Sequence, residues 1–140
     1  MSEDARVGIV LVSHSSALAE GTAELAGQIS GGSVRIVPAG GTDDGGIGTS
    51  AAKVRSAIAA ANTGAGVLVL PDLGSSVLTV RVLLAEPGKL PEPGKLPEPV
   101  VLADAPFVEG AVAATVAAAA GADIKAVLAA AEEARHARKL

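Results

Sequence analysis

The chain alternates short segments rich in β-branched residues with longer segments that have helical spacing. The predicted strands are residues 7–12, 34–37, 67–70 and 100–102, and the predicted helices cover residues 16–29, 49–61, 75–85, 106–120 and 123–139. Strands separated by helix-length connections require right-handed crossovers, which place helices on both faces of a mostly parallel sheet. We therefore expect an α/β fold: a three-layer, open sheet of four to five strands in a single domain over residues 1–140.

The core of such a fold must be built almost without aromatic side chains. Apolar residues make up 49% of the chain, but Phe107 is its only aromatic residue. A core of Val, Leu, Ile and many Ala buries little area per residue, so burial against a second subunit is attractive. Composition favours a homodimer but does not by itself establish one.

Composition also indicates which kinds of partner and which cellular compartment to expect. The formal charge of −4 and the lack of aromatic residues argue against a nucleic-acid surface. The apolar stretches fall short of the roughly 18 consecutive residues that span a bilayer, so no membrane partner is expected. The acidic amino terminus is unlike a secretory signal and the chain has no cysteine, which favours a cytoplasmic protein.

A proline-rich repeat follows the third predicted helix. The hexapeptide EPGKLP occupies residues 86–91 and recurs at once over residues 92–97. Proline at this density excludes a helix and a central strand, so we expect a surface loop at residues 86–99. A docking segment for a partner and a tolerated tandem duplication are both compatible with this pattern.

His14 is the main candidate for chemistry. It follows the first predicted strand, where an apolar run stops, and the carboxyl edge of a parallel sheet is where ligands collect. Asp72 ends the third predicted strand and would meet His14 at that edge. A carboxylate that accepts the N–H of one ring nitrogen fixes the tautomer and leaves the lone pair of the other nitrogen available. The alternatives are a surface histidine for His14 and a helix cap for Asp72.

Other motifs predict structure rather than chemistry. Residues 46–51 match the dinucleotide pattern G-x-G-x-x-A, but they lie too far from a strand and follow two aspartates. We interpret them as a turn before a helix capped by Thr49 or Ser50. Asp123 should cap the amino end of the last helix. The basic residues Arg135, Arg138 and Lys139 of this helix suit a helix carboxyl end. His136 should be solvated, and two distant histidines cannot form a metal site, so neither a metal nor a cofactor is expected.

Several segments together resemble the mannose-type EIIA family of the bacterial phosphotransferase system, in the form found in the phosphotransferase subunit of PEP-dependent dihydroxyacetone kinase. The resemblance extends over residues 6–130, and its motifs occur in the family's order. The segments that carry it are residues 8–15, 20–21, 39–43, 47–49, 72–75 and 105–111.

This resemblance implies a phosphoryl carrier. His14 would accept a phosphoryl group on Nε2 from the phosphocarrier protein HPr and pass it to ADP on the nucleotide-binding subunit of the kinase, while Asp72 would orient the ring through Nδ1. The family is typically homodimeric. Some members carry HPr-like domains on the same chain, whereas we expect HPr to be a separate protein here. The residues expected to neighbour the phosphoryl group are Ser13, Ser15, Gly41, Thr42, Gly74 and Ser75.

Two alternatives remain open for the function. A sugar-specific EIIA of the mannose type would pass its phosphoryl group to a transporter subunit instead of a soluble kinase. A non-catalytic regulatory module of the same fold would sense phosphorylation or a nucleotide and transfer nothing. Residues 105–110 favour the kinase.

Overall fold

The computed structural model describes residues 5–85 and 99–140, which form a parallel four-stranded sheet with helices between the strands. The strand order is β2-β1-β3-β4. In chain order the elements are β1 (Gly8–Ser13), α1 (Ser16–Ser30), β2 (Ile36–Gly40), α2 (Ala51–Ala61), β3 (Val67–Pro71), α3 (Gly74–Ala85), β4 (Val100–Leu102), α4 (Phe107–Ala119) and α5 (Ile124–Glu133).

The sheet is the middle of three layers. Successive side chains of a strand point to opposite faces, so the apolar residues of the fully buried β1 divide between two cores. Ile9 and Leu11 pack towards α4 and α5, while Val10 and Val12 pack towards α2 and α3. Helix α1 lies against α4, on the first of these faces. The predicted α/β fold with a parallel sheet and helices on both faces is confirmed.

The second strand differs from its prediction. It was predicted at residues 34–37 from their β-branched side chains, but β2 runs from Ile36 through Pro38 to Gly40. Strand β2 lies at an edge of the sheet, and its neighbours Arg35 and Gly41 bond to β1 through their backbones. In the alternating pattern of that ladder, Pro38 faces away from β1, so its missing N–H costs no ladder bond.

The last helix is shorter than predicted. It was expected to reach residue 139, but α5 ends at Glu133 and a turn of 3₁₀ helix follows. Arg135 donates to the carbonyl of Glu132, in line with the expected role of basic residues. Lys139 instead pairs with Glu109 at the start of α4, 2.7 Å away, so the tail turns towards α4. Asp123 caps α5 as predicted, accepting the N–H of Ala126.

Two further predictions concern the proline-rich loop and a possible membrane span. The proline-rich loop falls outside the described residues except for Pro99, whose carbonyl accepts the N–H of Val67 at the start of β3. Among the described residues, the helices lack the combination of length and apolar character that crossing a bilayer requires.

Gly8 permits the close approach of α2 to the sheet. A Cβ on Gly8 would lie 2.1 Å from the carbonyl oxygen of Ala61, whereas a Cβ on Gly21, in the exposed part of α1, would have nothing within 4 Å. We expect Gly8→Ala to lower the free energy of unfolding by about 3 kcal/mol, because backbone must move. The control Gly21→Ala should raise it by roughly 0.5–1 kcal/mol. Urea unfolding followed by circular dichroism measures both, and equal effects at the two positions would contradict the close packing.

Candidate active site

The candidate site lies where the sheet changes its winding direction. The chain passes from the central β1 to β2 on one side and later to β3 on the other. In open α/β sheets, ligands bind at the carboxyl ends of the strands at this switch point. His14 directly follows β1 and Asp72 directly follows β3, so the fold brings together residues that are 58 positions apart in the sequence.

Asp72 is held by donors on both of its carboxylate oxygens. Oδ1 accepts hydrogen bonds from His14 Nδ1 at 3.0 Å, the Ser76 hydroxyl at 2.8 Å and the Leu73 N–H at 2.7 Å. Oδ2 accepts from the Ser13 hydroxyl at 2.9 Å and the His14 N–H at 3.0 Å. Burial raises the pKa of Asp72, but the hydrogen bonds, led by the His14 N–H and the Ser76 hydroxyl, outweigh it and hold that pKa at about 2. The side chain is therefore a carboxylate at neutral pH.

The carboxylate determines the tautomer of His14. Because ionised Asp72 can only accept hydrogen bonds, the proton of a neutral ring must be on Nδ1, which is 3.0 Å from Oδ1. The lone pair is then on Nε2, which contacts the hydroxyl of Ser75 at the start of α3. The His14 side chain is 19% exposed, so a reacting group can approach Nε2 from solvent. The arrangement is that of an imidazole nucleophile oriented by a carboxylate.

A glycine-rich loop after β2 supports the backbone of His14 from the other side. The N–H of Gly48 donates to the carbonyl of His14 at 2.9 Å, and the N–H of Gly41 donates to the carbonyl of Ser13 at 3.1 Å. Gly41 has φ 76°, which disfavours any residue with a side chain. Within the loop, the Thr42 hydroxyl donates to the Asp44 carboxylate and accepts the N–H of Gly46. The hydrogen bond from Thr42 lowers the pKa of Asp44.

Comparison with known proteins decides the family. The family model EIIA-man, described as the PTS system fructose IIA component, matches residues 8–128. The chain belongs to the mannose-type EIIA family. This confirms the resemblance found in the sequence.

Similar proteins are phosphoryl donor subunits by name. This EIIA chain is 43% identical to "PEP-dependent dihydroxyacetone kinase, phosphoryl donor subunit DhaM" of Escherichia coli (strain K12), over 87% of this chain and 25% of that protein. It is 34% identical to "PEP-dependent dihydroxyacetone kinase 2, phosphoryl donor subunit DhaM" of Listeria innocua, over 79% of this chain and 84% of that protein. The chain thus spans about a quarter of the length of the first relative and most of the second.

A solved structure has the same fold. A crystal structure described as that of the unknown-function protein EF1359 superposes on this EIIA with a TM-score of 0.77 and 31% identity. The match covers 96% of this chain and 97% of the other. The four parallel strands and their helices are therefore the fold of a known structure over nearly its whole length.

The six residues predicted to neighbour the phosphoryl group lie in different elements around His14. Gly74 begins α3, and Ser75 contacts His14 Nε2. Ser15 caps α1, because its hydroxyl accepts the N–H of Leu18. Ser13 is fully buried and donates to Asp72, while Gly41 and Thr42 lie in the loop described above.

Sequence reasoning missed Ser76. Its hydroxyl is fully buried and lies 2.8 Å from Asp72 Oδ1 and 3.2 Å from His14 Nδ1. The available signal was its position four residues after Asp72, in the first turn of α3. His136 is exposed, as predicted, and the described residues contain no group of three or more His, Asp or Glu that could hold a metal ion.

The low pKa of Asp72 links folding to pH. The carboxyl has a pKa of about 2 in the folded chain and 3.8 in the unfolded chain, a difference worth about 2 kcal/mol. Because the folded value is the lower one, this stability is complete above about pH 5 and is lost as the pH falls through the folded pKa of about 2. Urea unfolding between pH 6 and pH 2.5 should show the loss. An Asp72→Asn variant should lose roughly 1.5 kcal/mol less over this range, and an identical pH profile for both would contradict the hydrogen-bonded carboxylate.

Proposed function

We propose that this EIIA is a phosphoryl carrier in PEP-dependent phosphorylation of dihydroxyacetone. It would accept a phosphoryl group on Nε2 of His14 from phospho-HPr and pass it to ADP on the nucleotide-binding subunit of the kinase. The observation that carries the proposal is the contact between His14 Nδ1 and the ionised Asp72, which leaves the Nε2 lone pair for phosphorus. The names of the DhaM relatives support the choice of acceptor.

In the first step, the lone pair of His14 Nε2 attacks the phosphorus of the phosphohistidine on HPr. A bond forms between Nε2 and phosphorus while the phosphorus–nitrogen bond on HPr breaks, and its electron pair returns to the imidazole of HPr. The proton on Nδ1 of His14 stays in place. The ring gains positive charge as the new bond forms, and the carboxylate of Asp72, 3.0 Å from Nδ1, stabilises that charge.

In the second step, a terminal phosphate oxygen of ADP attacks the same phosphorus. The bond between phosphorus and Nε2 breaks, its electron pair returns to Nε2, and ATP forms. Because Nδ1 keeps its proton throughout, His14 ends in the tautomer in which it began. The chain is therefore ready for another cycle without exchanging a proton with solvent.

The groups around Nε2 favour a moderate hold on the phosphoryl group. The Ser75 hydroxyl contacts Nε2 in the unphosphorylated chain and would turn to donate to a phosphoryl oxygen once His14 is phosphorylated. The amino end of α3 contributes about 0.3 to 1 kcal/mol for an exposed anion. Among the described residues, the hydrogen bonds of the His14 ring are to Asp72, Ser75 and Ser76, and none is to a Lys or Arg. A carrier needs such a weak site, because it must release what it accepts.

The test follows the phosphoryl group from PEP to ATP. The chain is incubated with labelled PEP, enzyme I and HPr, and then with the nucleotide-binding subunit and ADP. We expect label first on His14 and then in ATP. A chain that takes no label from phospho-HPr would disprove the carrier role.

A sugar-specific EIIA is the second candidate, and the description of the matching family as a fructose IIA component favours it. The same experiment separates the two. Label that reaches His14 but never enters ATP would support a transporter subunit as the acceptor.

We further propose that the chain is a single-domain, cytoplasmic homodimer. The large apolar residues exposed on its helices, such as Leu25, Val82 and Val116, support a second subunit. Sedimentation equilibrium of the full chain tests the dimer, and a monomer at micromolar concentration would contradict it.

A further inference from the structure

The Thr49 hydroxyl is not needed as a helix cap. Helix α2 is capped by Ser50, whose hydroxyl accepts the N–H of Lys53 at 3.1 Å. The Thr49 hydroxyl lies instead 2.8 Å from the hydroxyl of Thr79, in the second turn of α3. Both threonines are half-buried. We call this pair the threonine bridge.

The hydrogen atoms of the two hydroxyls give the threonine bridge a direction. A hydroxyl donates one hydrogen bond and can accept two. The Thr79 hydroxyl donates its hydrogen to the carbonyl of Ser75, which is 3.1 Å away and one helical turn earlier. The Thr49 hydroxyl is therefore the donor to Thr79, and the bonds run from Thr49 through Thr79 to Ser75.

The threonine bridge closes a ring of hydrogen bonds around His14. Gly48, the residue before Thr49, donates its N–H to the carbonyl of His14 at 2.9 Å. Ser75, at the other end of the bridge, contacts Nε2 of the same histidine through its hydroxyl. The bridge thus joins the loop that holds the backbone of His14 to the helical turn that contacts its ring.

Packing is open where the threonine bridge lies. A groove of about 310 Å³ runs between α2 and α3, and its lining residues include Ala51 and Thr79. Within residues 5–85 and 99–140, no second hydrogen bond joins residues 41–50 to α3. The bridge is therefore the polar contact that fixes the Ser75 turn relative to the loop.

Helix formation gives no reason for a threonine at residue 79. Threonine has a lower helix propensity than alanine or leucine, and a hydroxyl bonded to the carbonyl one turn earlier slightly destabilises a helix. The core gives no reason either, since Val80 and Leu83 are the buried apolar residues of this helix. A role in the ring around His14 accounts for the hydroxyl.

We propose that Thr79, through its bridge to Thr49, is a positioning residue for phosphoryl transfer. The proposal rests on the carrier function above. The bridge keeps the Ser75 hydroxyl beside Nε2, where it would donate to the phosphoryl group. Neither threonine hydrogen-bonds to His14 itself, so both act through the placement of Ser75 and of the loop. Alignment matters because a displacement of about 1 Å caused by a remote residue can lower a rate by about 10²-fold.

The test removes the hydroxyls and keeps the shape of the side chains. Valine has a volume and a helix propensity close to those of threonine, so Thr49→Val and Thr79→Val break the bridge with little change in packing. A rapid-quench measurement over a range of phospho-HPr concentrations gives the rate of the chemical step and KM. We expect each variant to lose about tenfold in this rate, with KM unchanged, because the bridge aligns the reacting groups.

A double variant tests whether the two hydroxyls act as one contact. The effects of independent residues multiply, whereas the effects of partners in one contact do not. The variant with both Thr49→Val and Thr79→Val should therefore transfer as fast as Thr79→Val alone. Thr79→Ser keeps the hydroxyl and should keep the wild-type rate.

Thr63→Val is the matched control for the loss of a threonine hydroxyl. The Thr63 hydroxyl donates to the carbonyl of Arg6 at 2.8 Å, at the amino edge of the sheet and away from His14. This variant should change neither the rate of the chemical step nor KM. If circular dichroism shows that Thr79→Val is unfolded, Thr49→Val decides the question, because residue 49 lies outside the helices.

Four results would each overturn the positioning role. They are a wild-type rate in Thr49→Val and Thr79→Val, losses that multiply in the double variant, a slow Thr79→Ser, and an equal loss in Thr63→Val. A wild-type chain that phospho-HPr cannot label would overturn the carrier function itself. A labelled wild type with equally fast variants would overturn the threonine bridge alone.

Discussion

A His14→Gln variant is expected to fold and to accept no phosphoryl group. Nε2 of His14 is the nucleophile that Asp72 orients, and a covalent carrier loses its acceptor atom when the imidazole is removed. We expect labelling from phospho-HPr to fall by a factor of at least about 10³. The measurement is the rate of label incorporation from PEP in the presence of enzyme I and HPr.

The fold of this variant should survive. Glutamine is polar, and its amide can donate to Asp72 in place of Nδ1, so the buried carboxylate keeps a partner. We expect the free energy of unfolding to change by about 1 kcal/mol or less, as for the loss of one hydrogen bond. His136→Gln is the matched control, because His136 is exposed and should be dispensable. Undiminished labelling of His14→Gln would place the phosphoryl group on another residue and remove the basis of the mechanism.

The fold was predictable from the sequence where the hydrophobic pattern alone determines the element. The strands around residues 8–13 and 67–71 are fully buried and apolar, so their pattern alone located them. Strand β2 was misplaced, because whether Pro38 can continue a strand depends on its position at a sheet edge, which is a tertiary property. The end of α5 was misplaced for a similar reason, since Lys139 pairs with Glu109 far away in the sequence.

The candidate site was predictable in its main pair and not in its supporting contacts. His14 and Asp72 each end an apolar strand, and parallel strands bring their carboxyl ends to one edge. The direction of each serine hydroxyl is set by side-chain packing, which sequence spacing does not fix. For this reason sequence reasoning placed Ser13 near the phosphoryl group without foreseeing that its hydroxyl donates to Asp72, and it overlooked Ser76.

Asp72→Asn is expected to slow phosphoryl transfer to and from His14 while leaving a folded chain. Five donors converge on the two oxygens of this carboxylate, and the introduced amide can accept on one oxygen only. If the amide nitrogen takes the place of Oδ2, it faces the His14 N–H, which is also a donor. If it takes the place of Oδ1, it donates to Nδ1 and moves the ring proton to Nε2, where the lone pair is needed.

Both orientations of the amide weaken catalysis. The neutral amide also cannot stabilise the positive charge that the ring gains during transfer. In other sites where a carboxylate orients a histidine, removing the charge lowers the rate by about 10²- to 10⁴-fold, and we expect a loss in this range here. A rapid-quench measurement with saturating phospho-HPr gives the rate of the chemical step. The effect should fall on this rate rather than on KM, because Asp72 is too buried to contact a docked protein.

A matched substitution distinguishes orientation of the ring from a general effect of losing an aspartate. Asp123 caps α5 by accepting the Ala126 N–H, and asparagine is an equally good cap, so Asp123→Asn should change neither rate nor stability. Ser76→Ala removes one of the donors to Asp72 and keeps the carboxylate, so its loss of rate should be much smaller. If Asp72→Asn transferred the phosphoryl group as fast as the wild type, Asp72 would only anchor the loop. The low pKa of its carboxyl would then have no role in catalysis, because the charge it preserves would not be needed in the transition state.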